Sequence, residues 1–331
     1  MQNFSSLARW AIPFSLALCT CNAGAVPPAV NLPNGLNLGG TSFLDGFGGQ
    51  PGDLALQGYY SYTHSTVMRT ENGDSSPLFN QPKVTSSAYI FQTLYQFPTT
   101  TKVMGGSPGL DLMIPVVNLN ASFAPPPPGP GLSLQPIGSG VGDITAGLFV
   151  QWDPALVDGN PFFVARAEVF AMMPTGRYSP RADMNIGNNQ WALGAMVATT
   201  FLLGPKWEVS LRPQYVYSFK NTDPASSLPL DPWVADTQAG QAASINFAAS
   251  YKAAQWLRIG LNGYYLRQLT DDQINGQTLR GSRETALGFG PGFMADVGKS
   301  DKVWLNLYRE TSVRNRFSND AVATLRWIHI F

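Results

Sequence analysis

Acidic and basic side chains of this sequence are separated by even numbers of positions along several stretches, so in a β-strand they would lie on one face. Residues 206–220 are the clearest example: Glu208 and Arg212 fall on one face, whereas Trp207 and Val209 fall on the other. Both signs of charge occur, and two interpretations stay open: a paired structural network, or the lining of a narrow polar path. The residues predicted to face such an interior are Asp111, Asp143, Arg166, Glu168, Glu208, Arg212, Lys252, Arg258, Glu284, Asp296, Glu310 and Arg326.

Patterns that would indicate catalysis or a metal site are sparse. Only two histidines occur, His64 and His329, in segments predicted to be the first and last strands and at opposite ends of their pairing. A Ser–His pair or a metal site needs partners within reach of the histidine, and no HExxH pattern is present. The sequence therefore predicts no enzyme activity, no cofactor and no metal. The net charge of zero, without a basic stripe, predicts no nucleic-acid partner.

Alternating segments with turn clusters between them recur from residue 53 to residue 331, which predicts an all-β fold. Only 13% of the residues are charged, whereas soluble domains average roughly 25%. Beyond the N-terminus no run of about 18 apolar residues appears. Aromatic residues gather at segment ends, as in the girdles of membrane barrels, and a Lys or Arg facing lipid would cost about 2–4 kcal/mol at the midplane. We therefore predict a transmembrane antiparallel up-and-down β-barrel of about twelve strands whose charges face inward. The predicted strands are 54–66, 85–97, 109–123, 141–153, 161–174, 189–203, 206–220, 240–253, 255–270, 283–297, 301–313 and 318–331.

The connections between these segments alternate in length. Three of them, at 203–206, 253–255 and 298–301, are short. Short turns on one side and long loops on the other are typical of outer-membrane barrels, and an even strand number puts both termini on the short-turn, periplasmic side. The long connections lie at 67–84, 124–140, 175–188, 221–239 and 271–282.

The final strand ends on an aromatic residue, Phe331, in register with Trp327 and Leu325. The last residues of a soluble protein are usually loose and solvated, so the alternative, an edge strand of a secreted β-sandwich, fits less well. In a closed barrel the last strand must pair with the first, because lipid tolerates no open edge. We interpret Leu325, Trp327 and Phe331 as an assembly signal, with outer-membrane lipids and the barrel assembly machinery as partners.

Two segments precede the predicted barrel. Residues 1–25 have the features of a secretory signal: one positive side chain, Arg9, a short apolar core at 10–18, and small residues at 23–25. Both cysteines lie within it, so the mature chain would have none.

Residues 26–52 are rich in Gly and Pro and show no period of 2 or 3.6. They include Phe43, Leu44 and Phe47, large apolar residues that a solvated linker does not need. We predict a segment at or inside the periplasmic mouth that plugs the lumen. The alternative is a flexible linker.

Short motifs carry a resemblance to a known family. Gly140-Val-Gly-Asp143 opens one strand, Met173-Pro-Thr-Gly-Arg-Tyr178 closes the next, and Asn185-Ile-Gly-Asn-Asn-Gln-Trp191 leads into the one after. With the segment Gly39–Gly46, this order resembles the meta-pathway phenol-degradation protein family over roughly residues 39–331. The resemblance implies an outer-membrane transporter linked to aromatic degradation. Arg177 departs from the acidic residue common in that family, so no role is assigned to it.

Together these patterns predict a channel of the bacterial outer membrane for the passive uptake of small hydrophobic or aromatic compounds. The alternative is a structural or surface-interaction barrel without an open path. The sequence by itself names no solute.

Overall fold

The computed structural model describes residues 30–125, 131–230 and 233–331. The predicted secretory signal, residues 1–25, lies outside the described residues, as do the first four residues of the segment predicted to plug the lumen. The regular structure of the described residues consists of β-strands. None of the described residues belongs to a helix long and apolar enough to cross a membrane.

Twelve antiparallel strands close into a barrel, and each pairs with its two neighbours along the chain. The predicted fold is thus confirmed, and every predicted strand boundary agrees to within three residues except the start of the fourth strand, which lies at Thr145 instead of residue 141. Local alternation was sufficient for this because a strand exposes successive side chains to opposite sides. The strands are β1 Leu54–Met68, β2 Lys83–Gln96, β3 Ser107–Ser122, β4 Thr145–Gln151, β5 Asn160–Met172, β6 Ala192–Leu203, β7 Trp207–Ser218, β8 Ala242–Ala254, β9 Leu257–Gln268, β10 Thr285–Asp296, β11 Asp301–Arg314 and β12 Phe317–Ile330.

The barrel closes between β1 and β12. Their pairing runs from Ala55 opposite Ile330 to Met68 opposite Phe317. Closure leaves no sheet edge, as lipid requires. The backbone N–H of Phe331 donates to the carbonyl of Leu54 at 3.0 Å, so the last residue is tied to the start of β1.

Connections at one end of the barrel are short, such as residues 204–206 and 255–256, and most at the other end are long, such as 173–191 and 219–241. Outer-membrane barrels carry short turns on the periplasmic side and long loops outside, which makes the long-loop end the extracellular end. The tight β11–β12 turn is a short connection at that end.

Four short strands lie outside the twelve and were not predicted. Thr237–Gln238, Asp272–Ile274 and Gln277–Leu279 form a small sheet in the extracellular loops, and Ala155–Val157 extends the hairpin before β5.

The predicted fourth strand is interrupted. Ser139–Val141 pairs with the extracellular half of β3, and β4 pairs with the other half. The break at residues 142–144 lies opposite Pro115, which has no N–H to donate to a neighbouring strand.

Candidate functional site in the barrel lumen

The N-terminal segment, residues 30–53, crosses the lumen once from the extracellular end to the periplasmic end. At the top, the Asn34 side chain donates to the carbonyl of Ile186 at 2.8 Å, and Asn188 donates to the carbonyl of Leu32 at 3.1 Å. At the bottom, Gly52 donates to the carbonyl of Gln96 just before β1 begins. This segment was predicted to lie at or inside the periplasmic mouth, and it extends beyond the mouth as far as the extracellular end. Because the sequence of the N-terminal segment has no periodic pattern, it does not indicate which inward-facing side chains of the barrel the segment contacts.

Polar groups of the barrel wall hold the middle of this segment. The N–H of Gly39 donates to the side-chain oxygen of Asn246 at 3.0 Å, and its carbonyl accepts from the Tyr308 hydroxyl at 2.8 Å. A Cβ on Gly39 would lie 2.7 Å from the Tyr308 ring and 2.9 Å from Tyr264, and the backbone has φ +72°. Only glycine fits this approach without strain.

The three predicted plug residues have different environments. Phe43 is fully buried in an apolar cluster with Met294 and Trp304, and Trp304 donates its indole N–H to the Phe43 carbonyl at 3.1 Å. Leu44 packs partly against the same cluster. Phe47 is 39% exposed, because the chain has by then reached the periplasmic ends of the strands. Phe47 is therefore not packed in the lumen as predicted.

Asp45 of the N-terminal segment forms a buried bidentate ion pair with Arg212 of β7. Arg212 donates from Nε to Oδ2 at 2.7 Å and from Nη2 to Oδ1 at 2.6 Å. The side chain of Arg212 is only 6% exposed, and that of Asp45 only 2%. Arg326 of β12 places Nη1 4.0 Å from the same carboxylate. A paired, charge-assisted fork of this kind is strong and directional, so it anchors the segment in the centre of the lumen.

Further buried charges surround this pair. Asp111 of β3 accepts a hydrogen bond from Gln92 at 2.6 Å, and the guanidinium of Arg166 lies 5.5 Å from the centre of the Phe149 ring. Glu168 lies one inward position beyond Arg166 on β5. Three carboxylates and three guanidinium groups therefore balance in what we call the central charge cluster: Asp45, Asp111, Arg166, Glu168, Arg212 and Arg326.

Several atoms at this level have no hydrogen-bond partner within the described part of the chain. They include Nε of Arg166 and Nε2 of Gln214, whereas the carboxyl groups of Asp111 and Glu168 lie in hydrogen-bonding contact with each other. Buried polar groups are normally satisfied, because leaving one unpaired costs about 1–3 kcal/mol. All four residues line the cavity described next, so a polar group of a bound molecule would find both donors and acceptors here.

A cavity of about 300 Å³ lies between the N-terminal segment and the inner faces of β1 to β7 and β12. Its lower end is the central charge cluster, and its upper end reaches Asp143 and Ile186 near the extracellular loops. Between these ends the lining is predominantly apolar. A volume of this size, apolar with a few convergent polar groups, is typical of a small-molecule site. Its apolar lining includes Leu36, Ile90, Met113, Val117, Phe170 and Val322.

Not all the predicted lumen-lining residues meet at this cavity. Five of them belong to the central charge cluster, and Asp143 and Glu310 line the cavity nearer the extracellular end. The other five do not line it, although their strands or loops place them elsewhere along the barrel: Glu208, Lys252, Arg258, Glu284 and Asp296.

Two of these five have local partners on the periplasmic side of the cluster. Glu208 accepts from Ser250 at 2.6 Å and from Ser210 at 2.7 Å. Asp296 pairs with Lys302 where β10 and β11 approach the periplasmic turn. These contacts match the structural-network interpretation for this part of the set.

Arg316, in the turn before β12, joins two predicted residues at the extracellular end. It lies 3.5 Å from Glu284 and 4.0 Å from Glu310. Burial raises the pKa of Glu284 to about 7, and the Arg316 guanidinium opposes that rise. Sequence reasoning missed Arg316, since a turn residue has no place in the alternation.

Asp143 joins the three sequence motifs into one corner. Its carboxylate accepts from the N–H of Gly176 at 2.9 Å and from the N–H of Asn188 at 2.8 Å. A Cβ on Gly176 would come within 2.7 Å of the Gly142 backbone, so the packing requires glycine. Because Asn188 also bonds Leu32, this corner holds the upper end of the N-terminal segment.

Sequence reasoning also missed Asp45, the acid that completes the central charge cluster. It lies in a segment without period, and its partner Arg212 is 167 residues away along the chain. No local pattern links the two positions.

A family model described as "Putative MetA-pathway of phenol degradation" matches residues 58–327. Among solved structures, the chain is similar to the COG4313 outer membrane channel from Pseudomonas putida F1, with TM-score 0.70 and 20% identity, covering 88% of this chain and 100% of that one. It is also similar to the beta domain of the Bordetella autotransporter BrkA, with TM-score 0.46 and 10% identity, covering 85% and 100% of the two chains. The translocator domain of the autotransporter NalP from Neisseria meningitidis gives TM-score 0.45 and 12% identity, covering 86% and 90%. No curated protein matches the sequence.

Proposed function

Because this chain belongs to the family described as "Putative MetA-pathway of phenol degradation" and folds as a closed outer-membrane barrel, we propose that it is a channel for passive uptake of small hydrophobic or aromatic compounds. The observation that supports this most is the cavity of about 300 Å³. The apolar wall of this cavity favours transfer of an apolar solute out of water, because burial stabilises by roughly 25 cal/mol per Å² of apolar surface.

The lumen is not a wide aqueous pore. The N-terminal segment fills its centre, with Phe43 buried and Asp45 ion-paired to Arg212. Free diffusion of hydrophilic solutes would require that segment to move, so we propose that it acts as the plug. A small apolar solute needs only the cavity above it.

An uptake assay tests this function. We expect cells that express the protein to take up a small apolar aromatic such as toluene faster than cells that lack it. Ala88→Trp would fill the cavity, because Ala88 lines it, and should abolish the difference. Ala146→Trp is the matched control, since Ala146 lies on the lipid-facing side of β4.

The outcome also separates the two functional interpretations. A barrel without an open path would give equal uptake in cells with and without the protein, and the Trp at residue 88 would then change nothing.

We further propose that insertion involves outer-membrane lipids and the barrel assembly machinery acting on the last strand. Leu325 and Trp327 support this, because they face outward and are 46% and 42% exposed. Phe331 is 67% exposed at the very end of the chain.

A further inference from the structure

A depression of about 710 Å³ marks the lipid-facing surface over β3 to β7. Outward side chains line most of it, among them Leu148, Val169, Val197, Pro213 and Tyr215. Leu148 and Val169 are 59% and 60% exposed, as expected for groups in contact with hydrocarbon. Outward side chains normally cover a barrel wall, so a hollow of this size requires an explanation.

The floor of the depression consists of inward-facing residues. Glu168, Met196 and Gln214 line both the depression and the lumen cavity. The two spaces therefore approach each other from opposite sides of the wall at β5, β6 and β7. Between β5 and β6 the backbone ladder is continuous here, with Glu168 opposite Met196, so an opening in the wall would have to lie between β6 and β7.

The backbone ladder between β6 and β7, in contrast, is interrupted at this level. Between β6 and β7 the pairing passes from Met196 opposite Gln214 to Thr199 opposite Leu211, and the two intervening pairs are not made. One of them is Val197 opposite Pro213, and proline has no N–H to donate. Proline is normally confined to sheet edges or bulges, and a closed barrel has no edge. The wall therefore lacks two backbone pairs in the middle of β6, at the depth of the hydrocarbon.

The side chains that close the gap can move at little cost. Met196 is unbranched and has three rotatable bonds, which makes it an adaptable filler. Nε2 of Gln214 has no hydrogen-bond partner among the residues that the structure describes, so rotating it breaks no bond at that atom. Ala195, which faces outward beside them, is small and adds little cover.

The direct way from the cavity to the periplasm is much less favourable for an apolar solute. It leads through the central charge cluster and past the bidentate pair of Asp45 and Arg212. Displacing a buried charge from its partner is costly, whereas the hydrocarbon beside β6 accepts an apolar molecule readily.

We propose that the gap between β6 and β7 at Pro213 is a lateral portal, through which an apolar solute passes from the lumen cavity into the hydrocarbon layer. This inference rests on the proposed uptake function. It adds to that function the route by which the solute leaves the barrel.

The chain contains a matched control for this portal. Pro291 of β10 interrupts the ladder to β11 in the same way, because pairing passes from Phe289 opposite Arg309 to Gly292 opposite Asn306. At that position the buried ring of Tyr308 lies on the inner side and does not line the lumen cavity, whereas Met196 and Gln214 beside the Pro213 gap do. A gap of the same type without a cavity behind it should carry no solute.

A reversible disulfide tests the portal. Directly opposed residues in such a ladder lie about 5.5 Å apart between Cα atoms, which is within the disulfide range. We would introduce the outward pair Ala195→Cys with Tyr215→Cys beside the gap, and as control the pair Phe289→Cys with Arg309→Cys, so that Pro213 and Pro291 are both retained. Free-thiol titration checks that each bridge has formed, and ion conductance in planar bilayers checks that the barrel is intact.

Oxidation of the first pair should lower toluene uptake by tenfold or more, and reduction should restore it. The control pair should change uptake by less than twofold in either state. If uptake is unchanged with the first bridge fully formed, the portal is refuted; that result also follows if lipid chains alone occupy the depression. The wild-type protein separates this from failure of the proposed function, which would show as no uptake above cells that lack the protein.

A second variant covers the case in which the bridge does not form. Pro213→Val restores an N–H that can donate to β6 and should lower uptake, whereas Pro291→Val should not. Equal uptake for both valine variants would overturn the proposal independently of any disulfide.

Discussion

Replacing Asp45 by Ala tests whether a single ion pair keeps the N-terminal segment in the lumen. Asp45 belongs to that segment, and its partners Arg212 and Arg326 belong to the wall. The substitution therefore removes the anchor without altering any barrel strand. It leaves the Arg212 guanidinium, only 6% exposed, without its bidentate partner.

The expected magnitude follows from the burial of this pair. Removing one partner of a buried ion pair costs about 3–5 kcal/mol. Since about 1.36 kcal/mol is a factor of ten, the ratio of displaced to inserted segment should rise by roughly 10²- to 5 × 10³-fold. The upper part of this range is an overestimate if Arg212 moves toward Glu168, another acid of the central charge cluster.

Two measurements report the displacement. Ser42 of the N-terminal segment is only 2% exposed. When Ser42→Cys supplies the thiol, a thiol reagent should label that cysteine at least tenfold faster in the Asp45→Ala variant than in the protein that retains Asp45. Single-channel conductance in planar bilayers should rise in parallel. Asp296→Asn is the control, because its pair with Lys302 is more exposed and does not touch the segment. Exposed pairs contribute about 0–1 kcal/mol, so neither measurement should change much.

Unchanged labelling and conductance in an Asp45→Ala barrel that still shifts on heating in SDS gels would refute this reasoning. The segment would then be held mainly by contacts such as the buried Phe43 ring.

Three other predictions concern assembly, the plug and pH. Deleting Phe331, or changing it to Asp, should impair insertion into the membrane. On SDS gels the unheated sample should then lose the band that migrates differently from the boiled protein. Normal assembly would mean that the terminal ring is incidental. Deleting residues 26–50 should raise single-channel conductance, and an assembled barrel with unchanged conductance would make this segment a linker. Burial raises the pKa of Glu284 from 4.5 to about 7, so the folded protein favours the protonated form. The free energy of unfolding should therefore fall as the pH rises from about 4.5 to 7, by at most ~3 kcal/mol. Thermal unfolding of Glu284→Gln in detergent should lack this component, and an identical pH profile in both proteins would contradict the assignment.

The strands and the barrel could be predicted from the sequence because their determinants are local. A period of two is a property of the extended backbone, so Glu208 and Arg212 show their shared face without any knowledge of neighbours. The same holds for the outward Leu325 and Trp327 of β12. Closure then follows from the lipid solvent, which leaves no edge unpaired.

What the inward faces meet was decided only by the tertiary structure. Alternation says that Asp111 and Glu208 both point inward, but not that one borders the cavity and the other bonds two serines. The aperiodic N-terminal segment has no register at all, so its full crossing and the exposure of Phe47 were not visible in advance.

The portal residues illustrate the same limit. The sequence alone shows that Pro213 and Pro291 each lack a backbone N–H donor. Both lack the same donor, and only the packed barrel places the lumen cavity beside the Pro213 gap, at Met196 and Gln214, and a buried tyrosine behind Pro291. The alternation of side chains along a strand is set by neighbouring residues. The space on each side of the wall depends instead on side chains brought together from distant parts of the chain.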